Sequence, residues 1–147
     1  NLPHFQKMHR VIFVTFSTDK RWILPPTARQ TALDCFLSEN GVSAEVHAAV
    51  VMPDHVHLLL TPLVHSGLPI PLAEIMRLLK GRSARAINLL LNRAGRVWQA
   101  ESFDHVLRSN VSLAKKVEYI CQNPVRAGLV RNETEYPWFW RGILPII

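Results

Sequence analysis

Residues 43–61 read SAEVHAAVVMPDHVHLLLT, two apolar runs interrupted by Met52-Pro53-Asp54. Proline cannot donate to a strand ladder and aspartate favours tight turns, so the interruption reads as a turn. Ser43–Val51 and His55–Thr61 then become paired strands of a hairpin. Upstream, Val11–Ser17 (VIFVTFS) is equally rich in β-branched and aromatic residues and reads as the first strand. Between this strand and the hairpin, Pro25 and Pro26 open a helix. Ala32, Leu33, Phe36 and Leu37 fall at helical spacing, and Asn40-Gly41 stops it. Downstream, Pro71 fits the first turn of a second helix. Leu72, Ile75, Met76 and Leu79 follow the i, i+3, i+4, i+7 template there, continued by Ser83, Ala86, Ile87 and Leu90. Gly81 is a point at which that helix can split, and Asn92–Gly95 ends it.

Ser102–Leu107 (SFDHVL) is a short fourth strand. Ser109, Asn110 and Ser112 offer capping oxygens to a last helix. That helix is expected to end at Asn123, because the residue before Pro124 is pushed out of helical geometry. Tyr136, Trp138, Phe139 and Trp140 read as packing residues. The order β-α-β-β-α-β-α predicts one α+β domain over residues 1–147. Its expected architecture is a single antiparallel sheet with helices packed against it, of ferredoxin-like type.

Bulk properties agree with one globular unit. The chain has 147 residues, 48% of them hydrophobic and 19% charged, within the usual domain size of about 100–200 residues. No apolar run is long enough for a transmembrane helix, and Asn1–Arg10 contains no apolar signal core. Cys35 and Cys121 form no CxxC pair, which points to a reduced, cytoplasmic protein. The formal charge is +6, favouring a polyanionic partner. Residues 75–100 hold no acidic residue but carry Arg77, Lys80, Arg82, Arg85, Arg93 and Arg96. A solvated helix face is the competing reading, but such a face normally interleaves Glu to gain i,i+4 pairs. The localised stripe is the footprint of a nucleic-acid binder.

Two places carry candidate chemistry. In His55-Val56-His57, alternate strand residues share a face, so both imidazoles point the same way. Taken alone, the pair fits either half of a metal site or two structural histidines. In the last helix, Leu113, Val117, Ile120 and Cys121 form one apolar stripe. Tyr119 falls roughly 145° from its centre at about 100° per residue. There it neighbours Lys115, Lys116 and, one turn on, Asn123. Taken alone, this is either a surface tyrosine or a functional one. Together the two places suggest a phosphoryl-transfer site. A divalent ion on the imidazoles polarises a phosphate, Asn123 adds an oxygen ligand, and Tyr119 attacks. Oxygen-rich chemistry with a His₂Asn set favours Mg²⁺ or Mn²⁺ over structural zinc.

At these residues the sequence resembles a known family. VVMPDHVHLLL (50–60), VWQAESFDHVLRS (97–109), YICQNPVRAGLV (119–130) and YPW (136–138) are similar to the REP-associated tyrosine transposases. These are relatives of the single-tyrosine HUH transposases of insertion sequences. The resemblance covers the chain from the first strand to Trp138. It implies an HUH-type fold, with His55 and His57 as the metal pair, Tyr119 as nucleophile and Asn123 as third ligand; Gln122 is the rival for that last role. It further implies cleavage and rejoining of single-stranded DNA near hairpin-forming repeats, through a 5′-phosphotyrosine and a freed 3′-hydroxyl. A hairpin-binding protein that does not turn over, and a nuclease using water, are the alternatives.

By residue type and position in these blocks, Lys80, Arg82, Arg85, Arg96 and Arg126 are candidate phosphate contacts. Trp98, Phe103 and His105 are candidates to stack on unpaired bases. Only a short segment with Lys7 and Arg10 precedes the first strand, where some relatives carry a basic arm. Monomer and homodimer both remain open.

Overall fold

The computed structural model describes residues 10–147, so Lys7 lies outside the described residues. In chain order the elements are β1 (Val11–Ser17), α1 (Pro26–Ser38), β2 (Ala44–Val51), β3 (His55–Pro62), β4 (Val64–His65), β5 (Leu68–Pro69), α2 (Leu72–Leu91), β6 (Phe103–Leu107), α3 (Asn110–Arg126) and β7 (Phe139–Arg141). Five strands form one sheet in the order β6-β1-β3-β2-β7, with every neighbouring pair antiparallel. Four of them, in the order β6-β1-β3-β2, follow the ferredoxin-like βαββαβ pattern, as expected. β4 and β5 form a separate two-stranded hairpin.

Both sheet faces are covered, which explains why the strands read as nearly continuous apolar runs. On one face Ile12, Val14, Phe16, Val56, Leu58 and Leu60 pack with Ala28, Ala32 and Phe36 of α1 and Ile75, Leu79 and Ile87 of α2. On the other, Val11, Phe13, Ala48, Val50 and Leu59 pack with Leu113, Val117 and Ile120 of α3. The period-2 alternation of β3 therefore sends His55 and His57 toward the α3 face. Among the described residues no helix is long and apolar enough to cross a membrane.

Three sequence expectations change. Gly81 does not split α2, which runs unbroken from Leu72 to Leu91. The buried stripe of Ile75, Leu79, Ser83 and Ile87 spans the glycine and outweighs its poor helix propensity. The last helix passes through Pro124 to Arg126. Proline removes one N–H near the end of the helix, where the buried ring gains packing instead. The stop comes at Gly128, whose φ is 76°. Gly128 N donates to the Val125 carbonyl and Leu129 N to that of Pro124, a Schellman closure. Finally, the aromatic tail supplies a fifth strand: Phe139–Arg141 pairs with Ala48–Val50 at the sheet edge.

Candidate active site

β1 and the Pro53-Asp54 turn fix the histidine pair. His57 lies opposite Thr15, and His55 opposite Ser17, in the β1–β3 ladder. Their ring centroids are 4.9 Å apart. Thr15 Oγ1 is 2.7 Å from His57 Nδ1, and Asp54 Oδ1 is 2.8 Å from His55 Nδ1. With both Nδ1 atoms engaged, Nε2 is the nitrogen each ring has for a ligand.

Asp54 is itself held by Arg21, with Nε at 3.0 Å and Nη2 at 2.8 Å from Oδ2. Burial pushes the Asp54 carboxyl up, but the hydrogen bonds from His55 and Arg21 outweigh it and hold it below the ordinary range. His57 is pushed down to about 3, first by burial and then by the charges of His55, Lys116 and Arg126. It is therefore a neutral imidazole at pH 7, the form with a lone pair to give.

α3 brings the remaining groups. Ser109 caps it, accepting from Ser112 N in a capping box. Leu113, Val117, Ile120 and Pro124 bury its sheet-facing side. Asn123 Oδ1 reaches to 3.3 Å from His55 Nε2. Tyr119 stands off the apolar stripe, yet its phenol ring leans back over the sheet. It is edge-on to Phe13 at 6.4 Å and 5.7 Å from the His57 ring, while remaining 43% exposed. Lys116 Nζ lies 5.0 Å and Arg126 Cζ 4.2 Å from the Tyr119 ring centroid. Arg126 Nη2 also donates to the Tyr119 carbonyl at 2.6 Å, a contact that exists because the helix continues past Pro124.

These groups have the chemistry to hold a hard divalent cation. In the tautomer whose Nδ1–H donates to Asp54, His55 Nε2 presents a lone pair to the Asn123 carbonyl oxygen. Two acceptors 3.3 Å apart ask for a cation or proton between them. Adjacent ligands of an octahedral ion with bonds of about 2.1 Å lie roughly 3 Å apart, close to that separation. Among the described residues no cluster of three or more His, Cys, Asp or Glu offers a competing metal site.

Tyr119, His55, His57, Asn123 and Arg126 thus converge on one side of the sheet. Phe103 and His105 lie on β6, whereas Lys80, Arg82, Arg85, Arg96 and Trp98 lie in the α2 layer on the other side of the sheet. Lys80 Nζ donates to the carbonyls of Gln99, Ala100 and Glu101 and to Ser102 Oγ, so it braces the loop before β6. Arg82 pairs with the buried Glu39. Trp98 is 4% exposed, with its ring against Phe16 and Phe36 and its N–H on Ser83 Oγ. Its face belongs to the core and is not open to a base. Arg85 and Arg96 are exposed.

Sequence reasoning missed Asp54 and Thr15. Asp54 is legible as the residue before His55, but only as a turn former. Thr15 needs the β1–β3 register. The chain's other tyrosine, Tyr136, is buried, donates its hydroxyl to the Val51 carbonyl, and is pushed up to about 12 by burial.

Comparison with known proteins fits this arrangement. The model of a family described as transposase IS200 like matches residues 11–123, a span from β1 through Asn123. The chain belongs to the IS200-like transposase family. A Haemophilus influenzae protein described as a REP-associated tyrosine transposase is 29% identical over 104 residues, 64% of this IS200-like chain and 57% of that relative. The matched region thus spans just over half of the relative's length. Among solved structures, a REP-associated tyrosine transposase bound to a REP hairpin superposes with a TM-score of 0.72 at 22% identity, covering 90% of this chain and 76% of the other. A transposase structure from Deinococcus radiodurans R1 gives 0.56 at 21% identity, covering 76% of this chain and 89% of the other. At these identities the two structures establish the shared fold.

Proposed function

We propose that this IS200-like transposase chain is a metal-dependent single-stranded DNA nicking and joining enzyme. It acts beside hairpin-forming repeats through a 5′-phosphotyrosine intermediate. The observation that carries the reading is the convergence of Tyr119, His55, His57 and Asn123 on one sheet face beside Lys116 and Arg126. The hairpin-bound structural relative supports the choice of DNA class.

His55 Nε2, His57 Nε2 and Asn123 Oδ1 would hold Mg²⁺ or Mn²⁺, which when bound supplies Lewis-acid polarisation of the scissile phosphate. Asp54 and Thr15 orient the two imidazoles through their Nδ1 atoms. Lys116 and Arg126 meet the phosphate's negative charge beside the phenol. Tyr119 Oη loses its proton and attacks phosphorus. The P–O3′ bond breaks, the 3′ oxygen takes up a proton, and the 5′ phosphate remains as a tyrosyl ester. Attack by a 3′-hydroxyl on that ester reverses the step, so rejoining requires no nucleoside triphosphate. Of the two tyrosines in the chain, Tyr119 is the one whose phenol is open to solvent.

Incubation with labelled hairpin DNA and Mn²⁺ tests the proposal. A covalent protein–DNA adduct that disappears in Tyr119→Phe supports it. Cleavage that survives Tyr119→Phe points to hydrolysis by water. Binding without cleavage by the unaltered protein points to a hairpin-binding protein.

A further inference from the structure

Phe103 is an apolar ring left 61% exposed on the edge strand β6. The register fixes its position. Phe103 lies opposite Thr15, and Thr15 lies opposite His57, so the three side chains form one row on the α3 face. Two strand spacings of about 4.8 Å put Phe103 roughly 9–10 Å from the His57 position. In the neighbouring row, exposed His105 lies opposite Phe13, over whose ring Lys116 Nζ sits at 4.3 Å. The same lysine flanks Tyr119. Lys116 thus lies against both Phe13 and Tyr119, one row along the sheet from the uncovered Phe103 ring. Asp104, the intervening residue of β6, turns to the opposite face.

Cations and a bare aromatic ring on one face are what a single strand needs, because every base has a π-face to stack while its phosphate seeks charge. We propose that Phe103 is the stacking platform for an unpaired nucleobase adjacent to the phosphate held at Tyr119 and the histidine pair. The site takes a single-stranded nucleotide and discriminates against a paired one, whose faces are already occupied. It rests on the DNA reading above and adds to it a specific subsite for the strand next to the cleavage point. With the Trp98 ring enclosed by Phe16 and Phe36, stacking near the reacting centre falls to β6.

The test needs no turnover. In a Tyr119→Phe background, anisotropy titrations compare a labelled 15-residue oligothymidylate with an abasic strand of equal length and charge. The parent binds the thymidylate more tightly. Adding Phe103→Ala weakens thymidylate binding by roughly 5- to 100-fold and leaves the abasic strand unchanged. Phe103→Trp restores the preference. The ring is exposed, so both variants fold, and circular dichroism melts verify this. If the parent binds thymidylate and Phe103→Ala changes nothing, or weakens both strands equally, the stacking assignment is wrong while the DNA reading stands. If the parent binds neither strand, the DNA reading itself falls, and this subsite with it. If Phe103→Ala instead converts a dimer to monomer in sedimentation, the ring belongs to an interface between copies and the proposal is overturned.

Discussion

Replacing Asp54 with alanine separates metal affinity from folding, because the turn that carries it is held by other groups. Thr18 N and Thr18 Oγ1 donate to the Asp54 carbonyl at 2.9 and 3.2 Å, and Leu24 N donates to the Pro53 carbonyl at 2.7 Å. None of these uses the carboxylate. Its ion pair with Arg21 is solvent-accessible, with side-chain exposures of 24% and 57%, and such pairs contribute about 0–1 kcal/mol. What the truncation removes is the acceptor for His55 Nδ1–H. The imidazole is then free to rotate and to shift its proton to Nε2, the nitrogen facing Asn123. Loss of such an outer partner typically weakens metal binding about 10- to 100-fold, or roughly 1.4–2.7 kcal/mol. Calorimetric titration with Mn²⁺ at pH 7.5 should show that loss in Asp54→Ala, while the melting temperature moves by only a few degrees. Unchanged Mn²⁺ affinity in a folded variant would refute the assignment of His55 Nε2 as a ligand.

Gly81 lies in the interior of α2, and a Cβ added there would meet nothing within 4 Å, so Gly81→Ala should stabilise the fold by about 0.5–1 kcal/mol in urea denaturation. Arg82→Ala should destabilise by roughly 2–3 kcal/mol, since it strands the Glu39 carboxylate, whose remaining partner is Ser43 Oγ; the same melts report it. For the basic stripe, Arg85→Ala/Arg96→Ala is the cleaner pair, and it should weaken DNA binding and flatten its salt dependence without a stability cost. His47 is held below its ordinary 6.5, mainly by burial and despite the opposing charge of Glu45. Its contribution to stability is therefore complete above pH 6.5 and is lost as pH falls toward its lower folded value. Denaturation midpoints between pH 7.5 and 5 should fall less steeply in His47→Gln than in the unaltered protein.

The ferredoxin-like topology is legible in the sequence because each inner strand is bounded by residues with a mechanical meaning. Pro53-Asp54 closes the hairpin, Pro25-Pro26 starts α1, and Asn40-Gly41 ends it. The histidine pair follows from the period-2 alternation of β3 alone. What escapes are features that depend on tertiary contact. A rule about the residue before proline misplaces the helix boundary at Pro124, because it ignores the packing available to a buried ring; Gly128 marks the true stop. The basic stripe is harder to weigh, because charge pattern does not reveal partners far away in sequence. Lys80 braces a loop about twenty residues on, and Arg82 meets Glu39 just past the end of α1. Residue type alone makes Trp98 a base platform, whereas its burial against Phe16 and Phe36 follows only once α1, α2 and the sheet are assembled. Thr15, which orients His57, has no signal short of the strand register.

The most direct measurement is a peptide map of the protein after reaction with hairpin DNA and Mn²⁺. Tryptic cleavage after Lys116 and Arg126 isolates residues 117–126, and the predicted result is that peptide carrying a 5′-linked nucleotide on Tyr119, with the adduct retained in Tyr136→Phe. Cleaved DNA with every tyrosine-containing peptide unmodified, or with the nucleotide on Tyr136, would contradict the assignment.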